Sequence, residues 1–183
     1  MRQKLKNLTQ AQTIALGFFI VILMGTLLLM LPISSKNGQS IGFIPALFTS
    51  ASASCVTGLV VVDTYTHWST FGQIVIITLI QIGGLGFITL GVLFSLLLNR
   101  NINLKQRTLI RESVNSIHIG GVVKLVKKII IGTFAIELIG AVIMSFFFIP
   151  ELGFTRGVYY SVFHSISAFC NAGFDLMGYR GEY

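Results

Sequence analysis

Charge is what this chain has least of. Asp and Glu number six and Lys and Arg thirteen, together 10% of 183 residues, where a soluble domain carries about a quarter. That shortage excludes an ordinary soluble domain and marks a membrane protein. Cysteine is also nearly missing. Cys55 and Cys170 each sit in an apolar run, are too few for a disulfide framework, and read as small buried residues. The three histidines, His67, His118 and His164, show no metal-ligand spacing. No His-Glu-x-x-His, no Walker loop and no Gly-x-Ser-x-Gly elbow is expected. A membrane-embedded enzyme would need a polar catalytic cluster, and none stands out, so neither bond chemistry nor an organic cofactor is expected. The formal charge of +7 does not point to nucleic acid either, because no groove-reading module accompanies it.

What the chain does have is long apolar runs. Ile14–Leu31 spans 18 residues without a charge, Phe71–Leu98 spans 28 without a charge, and Ile129–Ile149 spans 21 with one acid, Glu137. A membrane-crossing helix needs about 17–25 apolar residues, so all three qualify. The first run is longer than the apolar part of a signal peptide, and Leu31-Pro32-Ile33 is no small-residue cleavage site. We expect it to be retained. Basic residues cluster at Arg2, Lys4 and Lys6, and again over Asn99–Lys128. That second segment holds Arg100, Lys105, Arg107, Arg111, Lys124, Lys127 and Lys128 against the single acid Glu112. Pro32–Thr70 holds only Lys36 and Asp63. The positive-inside rule puts the N-terminus and residues 99–128 in the cytoplasm and 32–70 outside, in a plasma (cell) membrane.

A pattern then appears twice. Gly42, Phe48, Ser50, Ser52, Ala53, Cys55 and Gly58 recur 115 residues later as Gly157, Phe163, Ser165, Ser167, Ala168, Cys170 and Gly173. Such repeats suggest an ion pathway assembled from similar units. The first copy lies in Ile41–Val62, 22 residues without a charge. As a spanning helix it would put the most basic segment outside. As a loop that enters and leaves on one side it keeps the charge rule. Pro45 suits a first helical turn, Ala46–Ser54 reads as a short helix, and Gly58 permits a backbone conformation other residues resist. The second copy reads as a helix over Gly157–Ala168 followed by Phe169–Phe174. The expected fold is therefore an all-α integral membrane protein of helix, re-entrant pore loop, helix units. Residues 1–98 form one complete unit (spanning helix 14–31, pore loop 41–59, spanning helix 71–98). Residues 99–128 form a basic cytoplasmic segment. Residues 129–183 form an incomplete second unit (spanning helix 129–149, pore loop 157–174).

A desolvated alkali cation needs oxygens to replace its water, and backbone carbonyls provide them without a net charge that would trap the ion. A short helix aiming its C-terminal end at the site adds partial negative charge. The candidate ligands are the carbonyls of Cys55, Val56, Thr57 and Gly58 and of Cys170, Asn171, Ala172 and Gly173. Neither copy has the Thr-Val-Gly-Tyr-Gly run of the strict potassium channel, so a shorter or looser filter is expected. A ring around an ion needs about four such loops, and this sequence holds two.

Ala51-Ser52-Ala53-Ser54-Cys55-Val56-Thr57-Gly58-Leu59, followed by Gln81-Ile82-Gly83-Gly84-Leu85-Gly86-Phe87, resembles the first repeat of the Trk/Ktr/HKT superfamily. Phe169-Cys170-Asn171-Ala172-Gly173-Phe174 resembles its second pore loop. The likeness is greatest to the Ktr-type potassium-uptake membrane subunits and covers essentially the whole chain. It implies potassium uptake through four repeats in one polypeptide, with one filter glycine per loop, here Gly58 and Gly173. It also implies K+ as the transported ion, dependence on Na+, a homodimer, and a cytosolic nucleotide-binding ring of the KtrA type as regulatory partner. With two repeats, the chain reads as the N-terminal part of such a transporter. Two rivals stand beside that reading: a short channel-like subunit that builds its pore from several chains, and a truncated or accessory fragment that does not transport alone.

Several residues keep two readings. Glu137 is either a functional intramembrane acid or a structural hydrogen-bonding partner. Asp63 and Asp175, just past the two candidate filters, either raise the cation concentration at the outer mouth or are solvated loop acids or local caps. Gly83, Gly84, Gly86 and Gly91 allow close helix packing or flexing. The basic segment 99–128 sets topology or, in addition, docks a regulatory ring or anionic lipid headgroups. His164, which stands where the first copy has Thr49, is expected to pack behind the filter.

Overall fold

The computed structural model describes residues 10–86, 108, 110 and 122–181. Six helices are assigned among them: α1 (Gln10–Met30), α2 (Phe43–Ser54), α3 (Thr64–His67), α4 (Thr70–Leu85), α5 (Val122–Leu152) and α6 (Phe154–Phe169). Short 3-10 turns at Pro32–Ser34 and Met177–Arg180 complete the order. No strand occurs among the described residues. Residues 87–98 of the expected second spanning helix, and most of 99–121, lie outside the described set.

Helix length separates two kinds of element. α1 has 21 residues and α5 has 31, or about 31 and 46 Å at 1.5 Å per residue. Both are long and apolar enough to cross a membrane, over Ala11–Met30 and Val123–Leu152. α2 with 12 residues and α6 with 16 reach only about 18 and 24 Å, short of a hydrocarbon core of about 30 Å. α5 begins seven residues before the expected Ile129 and ends three after Ile149. Lys124, Lys127 and Lys128 are therefore exposed side chains on its first turns, inside a helix and not in a separate segment.

The two units share a plan. α1 packs on α2, and α5 packs on α6, so each long helix is followed by a short one that lies against it. α4 lies against α1 and α2 on one side and α6 on the other, joining the units. Polarity is turned inside out. Thr26, Ser50, Ser52, Gln73, Glu137, Ser165 and Ser167 are buried, while Phe19, Met24, Leu27, Phe134, Leu138, Ile139, Phe146 and Phe147 are exposed. Large apolar surface of this kind is stable only against lipid or another protein.

Hydroxyl groups fix each short helix to its long partner. Ser50 Oγ donates to the Ile22 carbonyl at 2.8 Å, and Ser165 Oγ donates to the Glu137 carbonyl at 2.6 Å. Each serine sits over a glycine. A Cβ on Gly25 would lie 2.4 Å from Ser50 Oγ, and one on Gly140 would lie 2.5 Å from Ser165 Oγ. All three pairs, 22 with 137, 25 with 140 and 50 with 165, keep the 115-residue offset. The repeat thus reaches back into the long helices, which the sequence pattern alone did not show.

One member of the sequence pattern departs from the plan. Gly42 is the N-cap of α2 with φ +90°. Its counterpart Gly157 lies inside α6, and the cap falls at Gly153 with φ +80°. The second short helix is therefore extended at its start by one turn relative to the expected Gly157–Ala168. Gly157 serves a different need: a Cβ there would lie 2.6 Å from Ile149 Cα and 2.7 Å from its nitrogen. The α5–α6 corner closes backbone against backbone. Gly157→Ala is expected to open this corner and destabilise the fold by about 1–3 kcal/mol, the usual range for overpacking. A lower thermal midpoint in detergent, with Gly132→Ala as control (its added Cβ meets nothing within 4 Å), is the measurement that checks it.

Candidate functional site

The two candidate loops begin where α2 and α6 end, and the helices end identically. In the first, Cys55 N–H donates to the Ala51 carbonyl, Val56 N–H to Ala53 and Thr57 N–H to Ser52, at 2.8, 3.3 and 3.0 Å. In the second, Cys170 donates to Ile166, Asn171 to Ala168 and Ala172 to Ser167, at 2.9, 3.0 and 2.8 Å. The last two bonds in each set are those of a Schellman turn, which needs a left-handed residue just past the helix. Val56 and Asn171 fill that place with φ +57° and +56°. Asn accepts this conformation readily, while a β-branched residue resists it, so the turn is held at Val56 by its surroundings. Gly58 and Gly173 follow with φ +75° and +73°, conformations that glycine adopts without steric cost.

A second set of bonds steadies the chain after each turn. Ser52 Oγ lies 2.9 Å from Thr57 Oγ1, and its counterpart Ser167 donates to the Phe174 carbonyl at 2.5 Å. His164 acts behind the second loop. Its Nε2 accepts from Leu176 N–H at 3.2 Å, which leaves the ring proton on Nδ1, 2.8 Å from the Tyr160 carbonyl oxygen. The ring is stacked on Phe148 at 5.1 Å.

The loops meet at their glycines. A Cβ on Gly58 would lie 2.7 Å from the Ala172 carbonyl oxygen and 3.1 Å from Gly173 Cα, and one on Gly173 would lie 3.1 Å from Gly58 Cα. All eight candidate filter residues therefore belong to two adjacent turns. Cys55, Thr57, Asn171 and Gly173 are exposed, Val56, Gly58 and Cys170 half-buried, and Ala172 buried. Cys55 and Cys170 are free thiols. Beside the second loop is a cavity of about 320 Å³, whose lining includes Asn171, Gly173, Asp175, His164 and Met144. Helix ends and uncharged carbonyls favour a cation over an anion. No His, Cys, Asp and Glu cluster suited to a resident metal occurs among the described residues.

The two mouth acids make local bonds. Asp63 caps α3, accepting from Thr66 N–H at 2.6 Å, and Asp175 accepts from Met177 N–H at 2.7 Å. Both carboxylates remain exposed. Asp63 also lies against Gly178, where a Cβ would come 2.4 Å from a carboxylate oxygen. Nearby, Tyr65, Tyr160 and Tyr179 make edge contacts at 5.7–6.3 Å between ring centres, and Lys36 lies 3.9 Å above Tyr65. Aromatic rings beside a cation are typical of a membrane–water boundary.

Contrary to expectation, Gly38-Gln39-Ser40-Ile41-Gly42 carries the letters of the Gly-x-Ser-x-Gly hydrolase elbow. The chemistry of that motif requires a strand, a strained turn and a helix. Here the segment is a loop between a 3-10 turn and α2, and Ser40 Oγ accepts only Gly42 N–H at 3.4 Å.

Residues 2–179 match the family TrkH, described as "Cation transport protein". The chain is 48% identical over 173 residues to the "Potassium/sodium uptake protein NtpJ" of Enterococcus hirae, covering 94% of this chain and 38% of that protein. It is 50% identical over 179 residues to the "Ktr system potassium uptake protein B" of Bacillus subtilis, covering 95% and 40%. The protein of the same description in Vibrio alginolyticus is 42% identical over 167 residues, covering 91% and 36%. The chain spans about two fifths of the length of these curated relatives. With a match over nearly its whole length and paired, glycine-ended turns at the place the sequence indicated, this chain belongs to the TrkH family of cation transport proteins.

Proposed function

We propose that this chain supplies two of the pore loops of a potassium-uptake pathway, entering the membrane from the outside as re-entrant segments. The observation that carries the reading is the meeting of Gly58 and Gly173 at the ends of two matching helices. A dehydrated cation passes between carbonyls of Cys55–Gly58 and Cys170–Gly173, drawn inward by the membrane potential. α2 and α6 are too short to cross a membrane, and irregular backbone at membrane depth needs protein or water around it. Both facts suit loops that turn back. The relatives named for potassium uptake support K+ as the ion. The word "sodium" in the description of one of them makes Na+ the competing or coupled ion to test.

Partners follow from the same kinship. Relatives described as parts of a Ktr system suit a regulatory subunit on the cytoplasmic face, and we assign that role to a nucleotide-binding ring of the KtrA type. A homodimer of the whole protein and contact with membrane lipids complete the proposal. Asp63 and Asp175 keep their charges free of ion pairs among the described residues and hold negative potential near the loops while they cap.

Two outcomes check this. Gly58→Ser and Gly173→Ser, in the protein expressed from its natural gene, are each expected to lower the preference for K+ over Na+ about tenfold or more. Tenfold corresponds to about 1.4 kcal/mol of differential binding, and ion fluxes measured in proteoliposomes read it. Unchanged preference in both would count against the filter. For orientation, Lys124, Lys127 and Lys128 are expected to react with a membrane-impermeant amine reagent in inside-out vesicles and to stay unlabelled in intact cells. The reverse pattern would invert the topology.

A further inference from the structure

Glu137 takes no part in the ion pathway described above, yet it is 5% exposed in the middle of a spanning helix. Its backbone carbonyl accepts Ser165, as that of Ile22 accepts Ser50 in the first unit. Since Ile22 does this without a polar side chain, the carboxylate serves another purpose. It reaches across to the other unit, where Gln81 Nε2 on α4 donates to Glu137 Oε1 at 2.9 Å. Such an arrangement is costly. An acid in an apolar helix is unfavourable, and the amide oxygen of Gln81 is buried with no hydrogen-bond partner among the described residues. Two leucines would pack there more cheaply, but without direction.

The next residues of α4 show what the direction serves. Gly83 lies against the first loop, where a Cβ would come 2.2 Å from the Ser54 carbonyl oxygen and 3.2 Å from a Val56 methyl. Gly84 lies against the second, where a Cβ would come 2.5 Å from Cys170 Sγ. Gln81 and Gly84 are three residues apart and share a helix face; both address the second unit. Gly83 lies on another side and addresses the first. One turn is thus wedged between the starts of both loops, and the Gln81–Glu137 bond sets its rotation and depth.

We propose that the last turn of α4 is the spacer that fixes the distance between the two loops, and that Gln81 and Glu137 are positioning residues that tune K+ over Na+ preference without touching the ion. The inference rests on the filter reading given above.

The test measures K+ and Na+ fluxes for the protein expressed from its natural gene, with Gly58→Ser as reference. Gln81→Ala and Glu137→Ala are each expected to lower the preference about fivefold, and the double variant to fall no further, as for one shared interaction. Glu137→Gln keeps a hydrogen-bonding partner for Gln81 and is expected to stay within about twofold of the parent. A second readout is independent of transport. Maleimide labelling of Cys170, followed by peptide mass spectrometry, should accelerate several-fold in both alanine variants as Gly84 withdraws. The proposal is overturned if Glu137→Ala leaves preference intact while Gly58→Ser alters it, or if Glu137→Gln falls as far as Glu137→Ala, which would make the charge itself the agent. If Gly58→Ser and Gly173→Ser both leave preference unchanged, the filter reading fails, and unaltered Cys170 labelling would remove the spacer as well. Should the alanine variants fail to accumulate, Gly84→Ala decides: the added methyl meets Cys170 with the tie intact, and an unchanged preference there overturns the proposal.

Discussion

Backbone polar groups cannot be left bare away from water, and everything in this fold follows from how the ends of two short helices meet that demand. Each helix stops while its last carbonyls still need partners. The Schellman turn at Cys55–Thr57 and its copy at Cys170–Ala172 satisfy some of those carbonyls from the following N–H groups. The turn forces a left-handed residue, and left-handed Gly58 and Gly173 lie two residues further on. Serine hydroxyls then bind each short helix to a long one and steady the departing chain. The remaining carbonyls are left to a passing cation in the function proposed for them.

Packing around those turns depends on small residues more than on large ones. Gly25 and Gly140 admit serine hydroxyls, Gly157 admits the backbone of α5, and Gly83 and Gly84 admit the two loops. In lipid the apolar effect does little to hold helix to helix, so close approach and hydrogen bonds carry the association. The buried Ser, Thr, Gln and Glu side chains and the exposed Phe, Leu and Ile side chains are two aspects of one arrangement.

The sequence revealed the paired loops because the residues that define them are chemically unusual. Cys55-x-x-Gly58 and Cys170-x-x-Gly173 sit in apolar surroundings at one fixed offset. The start of the second short helix was misplaced because Gly157 looked like the partner of Gly42. The residue is the same, but at one site it supplies a conformation and at the other it supplies room. The beginning of α5 was hidden because Lys124, Lys127 and Lys128 interrupt the apolar run without interrupting the helix. Gly25 and Gly140, and the tie between Gln81 and Glu137, left no local trace; they are contacts across 25 to 56 positions, and only the folded arrangement joins them.

The contact of Gly58 with Gly173 has one more consequence. A methyl group on either glycine would lie 3.1 Å from the α-carbon of the other, tighter than ordinary van der Waals contact. Two positions 115 residues apart therefore share one allotment of space, and a side chain at either must displace the other loop. A duplicated gene segment would ordinarily let its copies drift apart. Here the copies touch at their glycines, so a change in one repeat is felt by the other.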